Sequence, residues 1–201
     1  MTFAEALKTQ RWDDHRYYHH SRINQALHFV SALSFIAAYI TMWTSPVTAV
    51  ALGWLVAMPS RQAGHFFFEP RGYDEANQAT HEHKEHIKVG YNLFRKVVLM
   101  SVWALSPLLL LVSPTLGGWL PVGEGWLGIA NQVSVIWLAV AAGALLFRTV
   151  QLMVIADVQT GVVWCTKILT DPFHDVALYH RAPLYVLRGE RFDPIVTHAA
   201  R

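Results

Sequence analysis

Eleven histidines stand in a chain with one cysteine, Cys165. That pairing sets the chemistry to look for. Imidazole and carboxylate donors without thiolate suit Fe(II), Mn or Zn, and iron is the choice where the chemistry is oxidative. One cysteine excludes an intrachain disulfide and a cysteine-based zinc ribbon. The first constellation is Tyr18-His19-His20-Ser21-Arg22-Ile23-Asn24-Gln25-Ala26-Leu27-His28. On a continuous helix His20, Asn24 and His28 would recur every fourth residue along one face, with His15 and His19 as a second such pair.

The second constellation is Gly64-His65-Phe66-Phe67-Phe68-Glu69. His65 and Glu69 are one helical turn apart, a ligand with its orienting carboxylate or a pair of ligands. Gly64 allows close backbone approach. A third cluster, His81-Glu82-His83-Lys84-Glu85-His86, offers His83 and His86 as further ligands, for a second ion if there is one. The same residues also read as a solvated helix. His174 and His180 form a weaker fourth group.

These residues must be positioned by apolar elements. The chain is 53% hydrophobic and only 15% charged, with a net charge of +2. Soluble chains average about 25% charged. The composition excludes a disordered chain, and the small net charge gives no basis for nucleic-acid binding. A bilayer core needs roughly 20 apolar residues in helix. Ile23–Trp43 and Trp126–Phe147 are free of Asp, Glu, Lys and Arg, as is Val97–Leu120. The expectation is an all-α integral membrane bundle, a single domain over 1–201. Its four spans lie at about 23–43, 46–67, 97–119 and 126–147, with a cytoplasmic C-terminal segment over 148–201. Arg61 in the second span must snorkel or face a polar cavity. The fourth helix is expected to run on past Phe147 and to break near Gly161.

All sixteen Lys and Arg lie in the N-terminal segment, in the 60–96 region, or from Arg148 onward. The positive-inside rule places those three regions, and both termini, in the cytoplasm. Thr44-Ser45 and Glu124 fall opposite. Met1–Arg22 has no signal-peptide pattern, and Thr197-His198-Ala199-Ala200-Arg201 is no retention signal. The expected location is a bacterial inner membrane.

At the two motifs, Tyr18-His19-His20-x-x-x-Asn24-x-x-x-His28 and Gly64-His65-x-x-Phe68-Glu69-x-Arg71, the chain resembles the Mpo1-like (DUF962) family of small multispanning membrane proteins. The resemblance covers roughly residues 15–72. It implies an Fe(II)-dependent dioxygenase in the α-oxidation of 2-hydroxy fatty acids, with dioxygen as co-substrate and a lipid or fatty-acid-like substrate. By that match His19, His20, His28 and His65 are metal-site histidines, and Asn24 and Glu69 support them in the catalytic site. The chain departs from the pattern at Ser21, where a proline often stands, at Pro70, and in the His81–His86 cluster and long tail. One ion per chain is expected. Two ions would fit a histidine-rich di-iron hydroxylase or desaturase, which His15-x-x-x-His19-His20 partly echoes. A non-enzymatic accessory subunit of a membrane complex, or a haem-binding protein, is the remaining alternative.

Overall fold

The computed structural model describes residues 1–69, 72–74, 77–87 and 93–194, with backbone alone at 85–87 and 93–96. Every regular element among them is a helix. Local chemistry sets the boundaries. Thr2 and Glu5 cap each other reciprocally and start α1, Phe3–Tyr18. The chain then breaks over His19-His20-Ser21. The Ser21 hydroxyl accepts from the Asn24 N–H and starts α2, Arg22–Thr41. Ser45 caps the next start, and Pro46 occupies the first turn of α3, Pro46–Ala51.

From α3 the chain stays helical through a π-helical stretch, Leu52–Ala57, into α4, Met58–Phe67. The wide turns end where Pro59 enters. Proline lacks the N–H that an α-helix needs and its ring crowds the carbonyl one turn back. Three short elements follow: α5, His81–Ile87, then α6, Leu93–Leu105, and, after a 3₁₀ turn at Pro107, α7, Leu109–Val112. The long α8, Gly125–Ile155, ends at Ala156. Asp157 caps α9, Val158–Tyr179, and α10 is Ala182–Leu187.

Among the described residues two helices, Arg22–Thr41 and Gly125–Ile155, are long and apolar enough to cross a membrane. The other two expected spans do not reach that length as single α-helices. The second is interrupted by the π-helical stretch. The third ends at Val112, leaving an apolar helical stretch over Val97–Val112, and residues 113–120 form turns rather than helix. The fourth runs beyond its expected end, as anticipated, but breaks at Ala156 and not at Gly161. Asp157 supplies the break by accepting from the Thr160 N–H at 2.7 Å. Gly161 instead lies inside α9, where an added Cβ would come within 2.7 Å of the Thr149 carbonyl oxygen. It lets α9 fold back closely on α8.

α2 sits at the centre, packed on α4 and the π-helical stretch on one side and on α9 on the other. α8 packs on α9 and α3, α1 on α9, and α10 on α2. Stacked Trp54, Trp103 and Trp137 rings, 4.3 and 4.5 Å apart, tie α6 to the π-helical stretch and α8. The tail returns to the start of α2: Arg22 N–H donates to the Arg191 carbonyl at 3.0 Å, and Asp193 N–H to that of His20 at 2.9 Å.

Candidate metal centre

His19, His28 and His65 come together. One ring nitrogen from each lies within 4.8 Å of the others. His19 closes the C-terminal end of α1, His28 lies two turns into α2, and His65 is in the last turn of α4. Gly64 makes this approach possible. A Cβ there would lie 2.1 Å from Asn24 Oδ1 and 3.5 Å from His28 Cδ2.

Each ring turns one nitrogen inward and the other toward an oxygen. His19 Nε2 faces His28 Nε2 at 3.2 Å. His19 Nδ1 meets the Tyr179 hydroxyl at 3.2 Å. His65 Nδ1 donates to Glu69 at 2.8 Å. His28 Nδ1 faces the Asp175 carboxylate at 3.6 Å, too long for a hydrogen bond, and has no hydrogen-bond partner. An oxygen behind each imidazole is the usual arrangement around a metal-ligating histidine. His28 is fully buried. Burial, reinforced by His28 and His65 alongside, holds His19 well below the usual histidine range, so its ring is neutral and keeps a lone pair. The donor set therefore fits a first-row divalent ion.

Around this centre lies a compensated set of charges. Arg61 donates to Asp175 at 3.3 Å, which answers how a cation is accommodated at that point of the second apolar stretch. Burial raises the Asp175 carboxyl, and Arg61 opposes that rise. Arg11 pairs with Asp171 at 3.3 Å, and Lys167 bridges Asp14 and Asp171. Burial also raises the Tyr179 phenol well above its usual range, keeping it protonated.

His20 does not join the other three. It lies in the link between α1 and α2, off the α2 face that carries Asn24 and His28, because Ser21 ends the helical phase there. Its Nε2 faces Asp74 at 3.4 Å, Asn77 at 3.3 Å and the Arg16 carbonyl. Asn24 is buried beside Gly64; its amide donates to the Tyr18 carbonyl at 2.8 Å, and Oδ1 has no hydrogen-bond partner. Glu69 stands behind His65. His83 is exposed, its ring 6.3 Å from that of Tyr17. The side chain of His86 lies outside the described residues, as do Pro70, Arg71 and His198.

Sequence reasoning missed Asp175, Tyr179 and the partnering of Arg61. The available signal was Lys167, Asp171, Asp175 and Tyr179 at every fourth residue, a polar row along α9. Comparison with family models, with curated proteins and with solved structures finds no match for the chain.

Proposed function

We propose that the chain is a membrane-embedded, iron-dependent oxygenase acting on a lipid or fatty-acid-like substrate. The observation that carries the reading is the convergence of His19, His28 and His65, each with an oxygen behind its outer nitrogen or facing it. His19, His28 and His65 would hold the ion. Iron held there would supply the one-electron chemistry that lets a spin-paired organic substrate react with dioxygen, the substrate being the net electron donor. The chain's own residues do the rest. Glu69 holds His65 in one orientation. Arg61 and Asp175 compensate each other, so the buried site carries no stray charge. His28 is fully buried and His19 nearly so, which keeps bulk water from their rings.

The membrane reading is supported by the two long apolar helices and by the surface they expose. Leu111 and Val112 are more than four-fifths exposed, at 82% and 86%. Trp43, Trp119 and Trp126 are exposed near the ends of apolar segments, where tryptophan favours the bilayer boundary. Four membrane crossings, with α3 and α4 together as one and α6 and α7 as another, put both termini on the cytoplasmic side of a bacterial inner membrane. A centre at the cytoplasmic end of α2 and α4 meets a lipid whose tail stays in the bilayer. A 2-hydroxy fatty acid, shortened by one carbon, is the substrate that the motif resemblance favours.

The test uses protein purified in detergent. Elemental analysis, the optical spectrum and dioxygen uptake with dispersed 2-hydroxy fatty acids are measured together. Bound iron without a Soret band, and substrate-dependent uptake, are expected. A haem spectrum, or iron-loaded protein inert toward every lipid-like acid, overturns the oxygenase reading.

A further inference from the structure

The Tyr179 hydroxyl lies between two imidazoles: His19 Nδ1 at 3.2 Å and His15 Nδ1 at 3.1 Å. All three side chains are buried. A phenol carries one hydrogen, so it can donate to only one of two neutral rings. The other ring must donate to it. Two arrangements satisfy the chain of contacts. Either His19 donates through Nδ1 and Tyr179 donates to His15, or the whole chain runs the other way.

The far side of His15 decides between them. His15 Nε2 faces the Asp193 carboxylate at 3.8 Å. Asp193 is held there by Arg22 at 3.0 Å and by the Gln25 amide at 2.8 Å. A lone pair on His15 Nε2 would point at a negative oxygen, whereas an N–H there is attracted to it. With its ring neutral, His15 carries its proton on Nε2 and accepts at Nδ1. Tyr179 donates to it, and the phenol oxygen accepts from His19 Nδ1–H. His19 is left with its lone pair on Nε2, the nitrogen turned toward His28 and His65.

We propose that Tyr179 is a positioning residue of the three-histidine centre, locking His19 in the tautomer that presents Nε2 as a ligand, with His15 and Asp193 setting the direction of the hydrogen bonds. The inference rests on the reading of His19, His28 and His65 as metal ligands, but its direct observable, the His19 tautomer, does not require a metal. It brings into the site α9 and the returning tail, which lie outside the two motifs that first pointed to a metal.

The experiment has two arms on full-length protein in detergent. In the first, ¹⁵N-histidine NMR of the metal-free wild type reads the proton position on each ring. His19 protonated on Nδ1 and His15 on Nε2 is expected, and the reverse assignment overturns the proposal. In the second, Co(II) is titrated into wild type and Tyr179→Phe, following the visible bands. The variant is expected to bind about 10- to 100-fold more weakly, the usual cost of losing such an outer partner. Equal affinity in a variant with unchanged helical circular dichroism overturns the proposal. If wild type binds no Co(II), the metal reading falls while the tautomer still decides the inference. If Tyr179→Phe does not fold, the wild-type tautomer decides it alone.

Discussion

Gly64 on α4 stands against Asn24 on α2 so closely that a Cβ at 64 would lie 2.1 Å from Asn24 Oδ1. The contact fixes the spacing of the two helices that carry His28 and His65. Gly64→Ala is expected to destabilise the fold by about 1–3 kcal/mol, as overpacking does, and to weaken metal binding by separating the two rings. Gly53 is the control. An added Cβ there meets nothing within 4 Å, so Gly53→Ala should unfold and bind metal like wild type. Thermal unfolding and Co(II) titration of both variants check the pair.

Metal content separates the histidines. His28→Ala and His65→Ala should each lose the bound ion. His20→Ala should retain it, because His20 is engaged by Asp74 and Asn77 away from the centre. Replacing His81, His83 and His86 together should leave most of the iron bound, whereas a two-ion protein would lose half or more. Elemental analysis per chain reads all four variants. Iron at wild-type occupancy in His28→Ala would reject the assignment of the centre.

Protonation gives a prediction with a definite sign. The folded chain protonates His19 only well below the ordinary histidine value of 6.5, because of burial and then of His28 and His65. Between those two values the unfolded chain binds more protons, so acidification below 6.5 costs stability. Asp175 acts oppositely. Its carboxyl is raised, so the folded chain takes that proton first, and stability is gained as pH falls through its raised range toward 3.8. Comparing wild type with His19→Gln isolates the histidine. The metal-free wild type should lose melting temperature more steeply than the variant from about pH 7 downward. Parallel curves would show that His19 takes up protons as an exposed histidine does.

Topology can be read chemically. Cys165 is the only cysteine and is partly buried, so a Cys165→Ser background provides a clean start. A cysteine at Thr44 should react with an impermeant maleimide in intact cells, and one at Thr80 only after lysis. Labelling of the Thr80 position from outside would exclude the four-crossing arrangement.

The sequence made the helical class, the apolar segments and the pairing of His65 with Glu69 legible, because those depend on composition and on neighbours one turn apart. It did not make the fate of His20 legible. The histidine spacing assumed one helical phase from His15 to His28, and a single hydrogen bond from the Asn24 N–H to the Ser21 hydroxyl resets it. The face that presents His65 was hidden for a similar reason: the π-helical stretch before Pro59 rotates everything after it. Asp175 and Tyr179 were hidden by distance along the chain. No local pattern links α9 to α2, and only the fold-back at Asp157 brings them together.

That fold-back orders the birth of the protein. All three histidines leave the ribosome early, whereas Asp175 and Tyr179 belong to the last of the long helices. A nascent chain that has delivered only its first helices holds Arg61 without its counter-ion and His19 without its phenol. The centre therefore reaches its final form only once translation has passed α9 and the tail has docked beside Arg22. A chain truncated before α9 would reach quality control with Arg61 lacking its counter-ion Asp175.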